Sequence, residues 1–194
     1  MNGYRPMLSK WLEQKFPKTE FEFINAGISS TCSTTGAFRL SRDVLDHGPI
    51  DLFFIEFAVN DDQDARHSKE SCIRGMEGII RQMRLKSPKT DLAVTYFVNP
   101  GMLEQLRAGK KPIPMASHER VLEEYGVSRV HLARELAHQI KNGSFSWEKF
   151  GGTHPKEPGN RLCANMHMEM LERAWDSKTT NTSKDKKIPA KPID

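Results

Sequence analysis

The stretch "IDLFFIEFAV", residues 50–59, decides the fold. A strand with one wet face alternates apolar and polar side chains. This run is almost continuously apolar and rich in Phe and Ile, the pattern of a strand covered on both faces in a parallel sheet. Three further β-rich runs accompany it: "FEFIN" (21–25), "DLAVTYFV" (91–98) and the short "SRVHLA" (128–133). Between the four lie stretches of helical periodicity at about 4–16, 35–46, 69–87, 114–125, 131–142 and 158–175. Strand and helix alternate, which predicts a doubly wound α/β domain.

The punctuation agrees. Ser68 stands ahead of "KESCIRGMEGIIRQMRLK" as a helix cap, with Glu70 in the first turn and Pro88 beyond the end. Gly143 in "KNGSF" stops the helix that precedes it. No internal repeat is visible.

A chain of 194 residues suits one such domain, assigned to residues 1–175, and is short for two. Hydrophobic content of 37% and charged content of 28% are those of a globular protein and exclude fibrous and disordered classes. The net charge of +4 is spread among interspersed acids, except in "SKTTNTSKDKKIPAKPID", where 176–194 reads as a polar linker or disordered tail. That tail lacks the interleaved aromatics and clustered Arg of a nucleic-acid arm, so no nucleic-acid partner is expected. Cys32, Cys72 and Cys163 are far apart and show no metal-ligand spacing, so reduced thiols are expected and no metal or other cofactor. No run is long enough for a membrane span, and the N-terminus reads as an amphipathic helix with no signal peptide.

In open α/β sheets, ligands bind beyond the carboxyl ends of the strands. The rule nominates "NAGISST", "FAVNDDQD", "NPGM" and the turn "KFGGTHPKEPGN" (149–160). Three of these carry a pattern. "INAGISSTCST" after one strand, "FIEFAVNDD" after the next and "GGTHP" before the last helix resemble, in order and spacing, the SGNH or GDSL hydrolase superfamily of esterases and acylhydrolases, over about residues 21–170. The resemblance implies a flavodoxin-like three-layer α/β/α sandwich with a parallel sheet. It implies Gly27 as an oxyanion donor through its backbone N–H, Asn60 as a second donor through its side-chain amide, and His154 as the base that takes a proton from a serine hydroxyl. These are the parts of acyl transfer: preorganised donors for the tetrahedral oxyanion, and a neutral imidazole that activates a weak nucleophile. The implied substrate is a small-molecule or carbohydrate ester, with no cofactor.

Two departures stand beside the matches. The Gly-Asp-Ser block that holds the nucleophile in the family is absent, and "NGYRPMLSKWLEQKFP" resembles sequence that follows shortly after it. Either the chain is truncated or mis-started, with its serine and any leader upstream of Met1, or the nucleophile comes by circular permutation or from another chain. The missing strand is then the central one of the sheet, between "FEFIN" and "IDLFFIEF". Its neighbours would leave buried backbone groups unpaired, at roughly 1–3 kcal/mol each. Secondly, Gly151 occupies the place of the acid that orients the histidine, so Glu148, Glu157 or a backbone carbonyl is left to hold the ring.

Each residue also has a plainer reading. His154 would cap the last helix, Asn60 would be a strand-end turn residue, and Gly27 would serve a tight turn. Ser29, Ser30 and Ser33 lack the surround of a nucleophile elbow and read as helix caps. Asp61, Asp62, Asp64 and His67 offer hard metal ligands, but without the glycine and distal Glu of a calcium loop they read as solvated acids. Trp147 is a candidate cleft residue. The excursion at about 97–127, with Arg107, Lys110 and Lys111, reads as a lid or specificity segment. A non-catalytic module that binds a glycan or a protein on the same fold is the competing reading of the whole chain.

Overall fold

The computed structural model describes residues 3–176 and 188–193. The apolar run at 50–59 forms strand β1, Leu52–Ile55. It ends sooner than the hydrophobic pattern because Glu56 turns the chain: its carboxylate accepts the N–H of Val59 at 3.3 Å and starts a short helix, α3 (Ala58–Gln63). Strands β2 (Asp91–Thr95) and β3 (Ser128–Val130) complete a parallel sheet of order β1-β2-β3, in the register Leu52 to Asp91 and Ala93 to Ser128.

The helices follow the sequence periodicity closely. They are α1 (Tyr4–Lys15), α2 (Ser33–Asp43), α4 (Lys69–Lys86), α6 (Ile113–Tyr125), α7 (Leu132–Lys141) and α9 (Glu157–Asp176), with the short α5 (Pro100–Arg107) and α8 (Trp147–Phe150) between them. Ser68 caps α4 as its type predicts, accepting the Ser71 N–H at 3.2 Å. Asn99 caps α5 through the Met102 N–H at 2.9 Å, with Pro100 at the first helical position. The excursion read as a lid is instead α5 and α6 joined by residues 108–112, because its apolar residues Met102, Leu103, Met115 and Leu122 are buried in the core.

The sheet lies between two helical layers. Leu52 and Phe54 face α1 and α9, against Leu8, Leu12 and Leu171, while Ile55 and Val94 join the main core with Leu40, Ile73, Met76 and Ile80 of α2 and α4. Each such buried aliphatic side chain contributes about 1.5–3 kcal/mol. Helices α2 and α4 approach closely at Gly75, where a Cβ would stand 2.1 Å from Ser33 Oγ.

One expected strand is not formed. "FEFIN" (21–25) forms neither strand nor helix, with Phe23 46% and Ile24 39% exposed. A strand exists through the N–H and C=O groups of a neighbour, and among the described residues this run pairs with no strand, while β1 is an edge of the sheet. The sheet has three strands, fewer than the sequence runs suggest. Of the tail, residues 177–187 lie outside the described residues. Residues 188–193 rest on α4 and α6, where Ile193 N–H donates to Glu77 Oε2 at 3.0 Å and Pro189 C=O accepts from Arg81 at 2.9 Å.

Candidate active site

The loops at the carboxyl ends of β1 and β2 and the turn before α9 hold the groups with chemical potential. Asn60 sits in the first turn of α3, half-buried, and its amide donates to Asp64 Oδ2 at 2.6 Å. The next residue, Asp61, is fully buried. One of its oxygens accepts the Ser33 N–H at 2.7 Å; the other accepts the Ser33 hydroxyl at 2.7 Å and faces His118 Nε2 at 2.9 Å. Burial alone would raise the Asp61 carboxyl, but the bond and charge of His118 and the two Ser33 donors outweigh it and hold the group below the ordinary carboxylate range. Asp61 was expected among solvated acids. It is instead the node that ties the start of α2 to α3 and α6.

His67, from the α3–α4 loop, also turns toward this node, with Nδ1 3.4 Å from Asp61 Oδ1. Cys72 is buried beside it, and burial together with the Asp61 charge pushes its thiol up to about 12. Cys32 stands at the start of α2, partly exposed; burial raises its thiol, yet the hydroxyls of Thr34 and Thr35 and the Thr35 backbone bring it below the ordinary value.

Glu56 is a second group that the sequence reading passed over, because it lies inside an apolar run. Burial pushes its carboxyl up to about 7, against the N–H groups of Val59, Ala58 and Phe97 that favour the charged form. A carboxyl that titrates near neutrality therefore lies four residues before Asn60.

His154 lies in the turn between α8 and α9, exposed. No described side chain orients its ring. The two acids nearest in sequence are engaged elsewhere: Glu157 accepts from Arg161 Nε at 2.9 Å, and Glu148 is held low by its own backbone N–H and the Ser146 hydroxyl. Gly151 is not a simple loss of an acid. Its φ of +105° belongs to glycine, and a Cβ there would stand 2.3 Å from the Lys156 nitrogen, because Lys156 N–H closes the turn onto Phe150 C=O at 2.9 Å.

Gly27 lies in an exposed segment along α2, its N–H donating to Asn25 Oδ1 at 3.1 Å. Arg39 binds the Ala26 carbonyl, and Gly27 lines a surface concavity of about 290 Å³ with Arg42, Asp43 and His47. Gly27 in its exposed segment, Asn60 in the first turn of α3 and His154 in the turn before α9 thus occupy three separate elements, and no hydrogen bond joins them among the described residues. Trp147 stacks on the buried ring of Phe150 at 5.7 Å, and Arg107 is exposed in the last turn of α5.

Comparison with known proteins bears on the chain as a whole. A sequence model of the GDSL-like lipase/acylhydrolase family matches residues 1–162. The chain belongs to this family. No curated protein sequence matches it. Among solved structures it is similar to a two-domain esterase active on acetylated mannans, with 24% identity and a TM-score of 0.81 over 97% of this chain and 48% of that one. It is also similar to an acetyl xylan esterase from Geobacillus stearothermophilus (16% identity, TM-score 0.67, 87% of this chain and 81% of that one). A third is a lipase/acylhydrolase from Enterococcus faecalis (17% identity, TM-score 0.61, 87% and 86%). At these identities the likeness establishes a shared fold, and the chain spans about half the length of the mannan esterase.

The family match accords with the α/β architecture, and its range includes Gly27, Asn60 and His154. What the motif reading missed is the support behind them. His118 carried no signal, since it lies within a helix far from any strand end in sequence. Ser33 was noticed only as a cap, and its partner, the aspartate of "VNDD", was assigned to solvent.

Proposed function

We propose that this chain belongs to an ester hydrolase that transfers an acyl group to water, acting on an acylated carbohydrate. The observation that carries the reading is the family match across residues 1–162, which spans all three motifs. The acetylated mannans and acetyl xylan named for two structures of the same fold support the carbohydrate ester. In this reading His154 is general base and then general acid, and Gly27 N–H and the Asn60 amide are oxyanion donors. The nucleophilic serine belongs to sequence upstream of Met1, on a strand that would fill the free edge of β1. The Asn60 amide has two N–H groups, one on Asp64 and one left for an oxyanion. No cofactor has a step in it.

A second reading, a non-catalytic module that binds a glycan or a protein, draws on a specific observation. The Gly27 N–H is already taken by Asn25, and among the described residues no acid orients His154.

Assaying the upstream-extended gene product on an aryl acetate, beside its His154→Ala variant, separates the two. Loss of turnover by at least about 100-fold in the variant supports the hydrolase, in line with the usual contribution of a positioned base. Equal turnover in both removes His154 from the mechanism. Absence of turnover together with saturable binding of an acetylated oligosaccharide favours the binding module.

A further inference from the structure

The family match gives no role to the side chains gathered at the start of α2. Cys32 Sγ, an Asp61 carboxylate oxygen and a His67 ring nitrogen all lie within 4.8 Å of one another. They come from three places in the chain: the residue before α2, the buried turn of α3, and the α3–α4 loop. We propose that Cys32, Asp61 and His67 form a binding site for a single zinc-class divalent ion, with a fourth position open to solvent.

The donor set selects the ion. One thiolate, one imidazole and one carboxylate form a mixed sulfur, nitrogen and oxygen set of borderline softness, which suits zinc and its close analogues and is foreign to calcium and magnesium, which require oxygen shells. Three protein ligands with one open position is the arrangement of a zinc site that keeps water or another small ligand.

The distances agree. His67 Nδ1 and Asp61 Oδ1 stand 3.4 Å apart. That is long for a charge-assisted hydrogen bond, which runs at about 2.7–2.9 Å. Two ligand atoms each about 2.0–2.1 Å from a tetrahedral ion stand about 3.3–3.4 Å apart. The same His67 nitrogen is buried and has no hydrogen-bond partner among the described residues. A buried ring nitrogen without a hydrogen-bond partner is free to take a bound group. A thiolate at about 2.3 Å from the ion would stand about 3.6 Å from the other ligands. Cys32, half exposed at the mouth of the cluster, closes from within 4.8 Å to that separation by a side-chain adjustment.

The outer shell is already built. Ser33 N–H holds Asp61 Oδ1 at 2.7 Å, leaving that oxygen a second lone pair for the ion. The Ser33 hydroxyl and His118 hold Oδ2 at 2.7 and 2.9 Å. His67 is tied to the same turn by its own backbone, whose N–H donates to Asp61 C=O at 2.8 Å. A second grouping, Asp61 with Cys72 and His118, meets the same distance criterion. There the His118 to Asp61 separation is that of a hydrogen bond, the oxygen is shared with Ser33, and all three side chains are sealed from solvent, so an ion would have to break a satisfied network to enter. Both groupings hold a buried ring nitrogen without a hydrogen-bond partner among the described residues, His67 Nδ1 and His118 Nδ1, but only the outer trio has a thiol open to solvent through which an ion can enter.

The test needs no enzymatic activity, so it stands or falls apart from ester hydrolysis. The full chain is stripped with chelator and titrated with zinc chloride against a chromophoric competitor, then with cobalt chloride, whose thiolate complexes absorb in the near ultraviolet and whose tetrahedral sites absorb in the visible. The expected result is one ion per chain, a thiolate-to-cobalt band, and a loss of affinity of more than about tenfold in both Cys32→Ser and His67→Gln, at least the loss seen when only an outer-shell partner is removed. Cys72→Ser should retain the ion. Neither Cys32 nor His67 is buried in the core, so circular dichroism of the two variants should match the parent. Absence of stoichiometric binding, binding unchanged in Cys32→Ser and His67→Gln, or a cobalt spectrum without the thiolate band overturns the site.

Discussion

The Asp61 node, next to Asn60 in sequence, and the turn that holds His154 are built in opposite ways. Asp61 is sealed from solvent and held from three elements by Ser33, His118 and the turn of α3. His154 is exposed in a glycine turn, with no described side chain fixing its ring. The contrast shows that this chain places its rigidity behind Asn60 and leaves the His154 ring without an orienting side chain among the described residues. A carboxylate buried at 0% exposure must be satisfied or it unfolds its surroundings, whereas a solvated imidazole makes no such demand.

The sharpest way to break the comparison is to remove each residue in turn. Asp61→Ala strands the Ser33 donors and His118 in the core, and should cost about 3–5 kcal/mol in urea unfolding, since each buried donor left without its acceptor costs about 1–3 kcal/mol. His154→Ala should change stability by less than about 0.5 kcal/mol. Equal effects would erase the distinction.

Next in size is the attempt to give the histidine its missing acid. Gly151→Asp meets both a positive φ and the Lys156 nitrogen, so it should destabilise by roughly 2–3 kcal/mol rather than restore a Ser-His-Asp site. Thermal unfolding of the variant checks this, and an unshifted midpoint would mean that the turn is far more pliable than its closure onto Phe150 implies.

The smallest effect lies between the two regions, at Glu56. Its folded form binds a proton more tightly than the unfolded chain, with the carboxyl raised from the ordinary 4.5 to about 7 by burial. The stability it contributes is therefore full below about pH 4.5 and lost as pH rises through about 7. Between pH 5 and pH 8 the wild type should lose on the order of 2 kcal/mol through this group, and Glu56→Gln, which keeps an acceptor for the α3 N–H groups, should abolish most of that slope. A variant with the parent slope would relocate the titration elsewhere.

Much of the fold was legible in local patterns. The periodicity of α1, α4, α6, α7 and α9 and the apolar runs of β1 and β2 placed those elements within a few residues, because 3.6-residue spacing and continuous burial each leave a direct trace in the order of side chains. Short helices such as α3 and α5 escaped, since a few residues carry too little period, and the Glu56 turn was hidden inside a strand-like run. "FEFIN" shows the converse. Its side chains suit a strand, but a strand is a pairing, and the partner does not lie among the described residues.

The candidate site divides along the same physical line. Asn60, Gly27 and His154 could be named from motifs because the neighbours of each in sequence carry the pattern. That Asp61 is a buried node, that His118 holds it, and that Gly151 is required by the Lys156 closure depend on groups brought together across up to 57 residues of chain. Composition and spacing determine which local structures form and which family the chain joins. Which polar groups meet in the interior is set by packing, since the cost of an unpaired buried charge is levied on three-dimensional neighbours and leaves no mark on those adjacent in sequence.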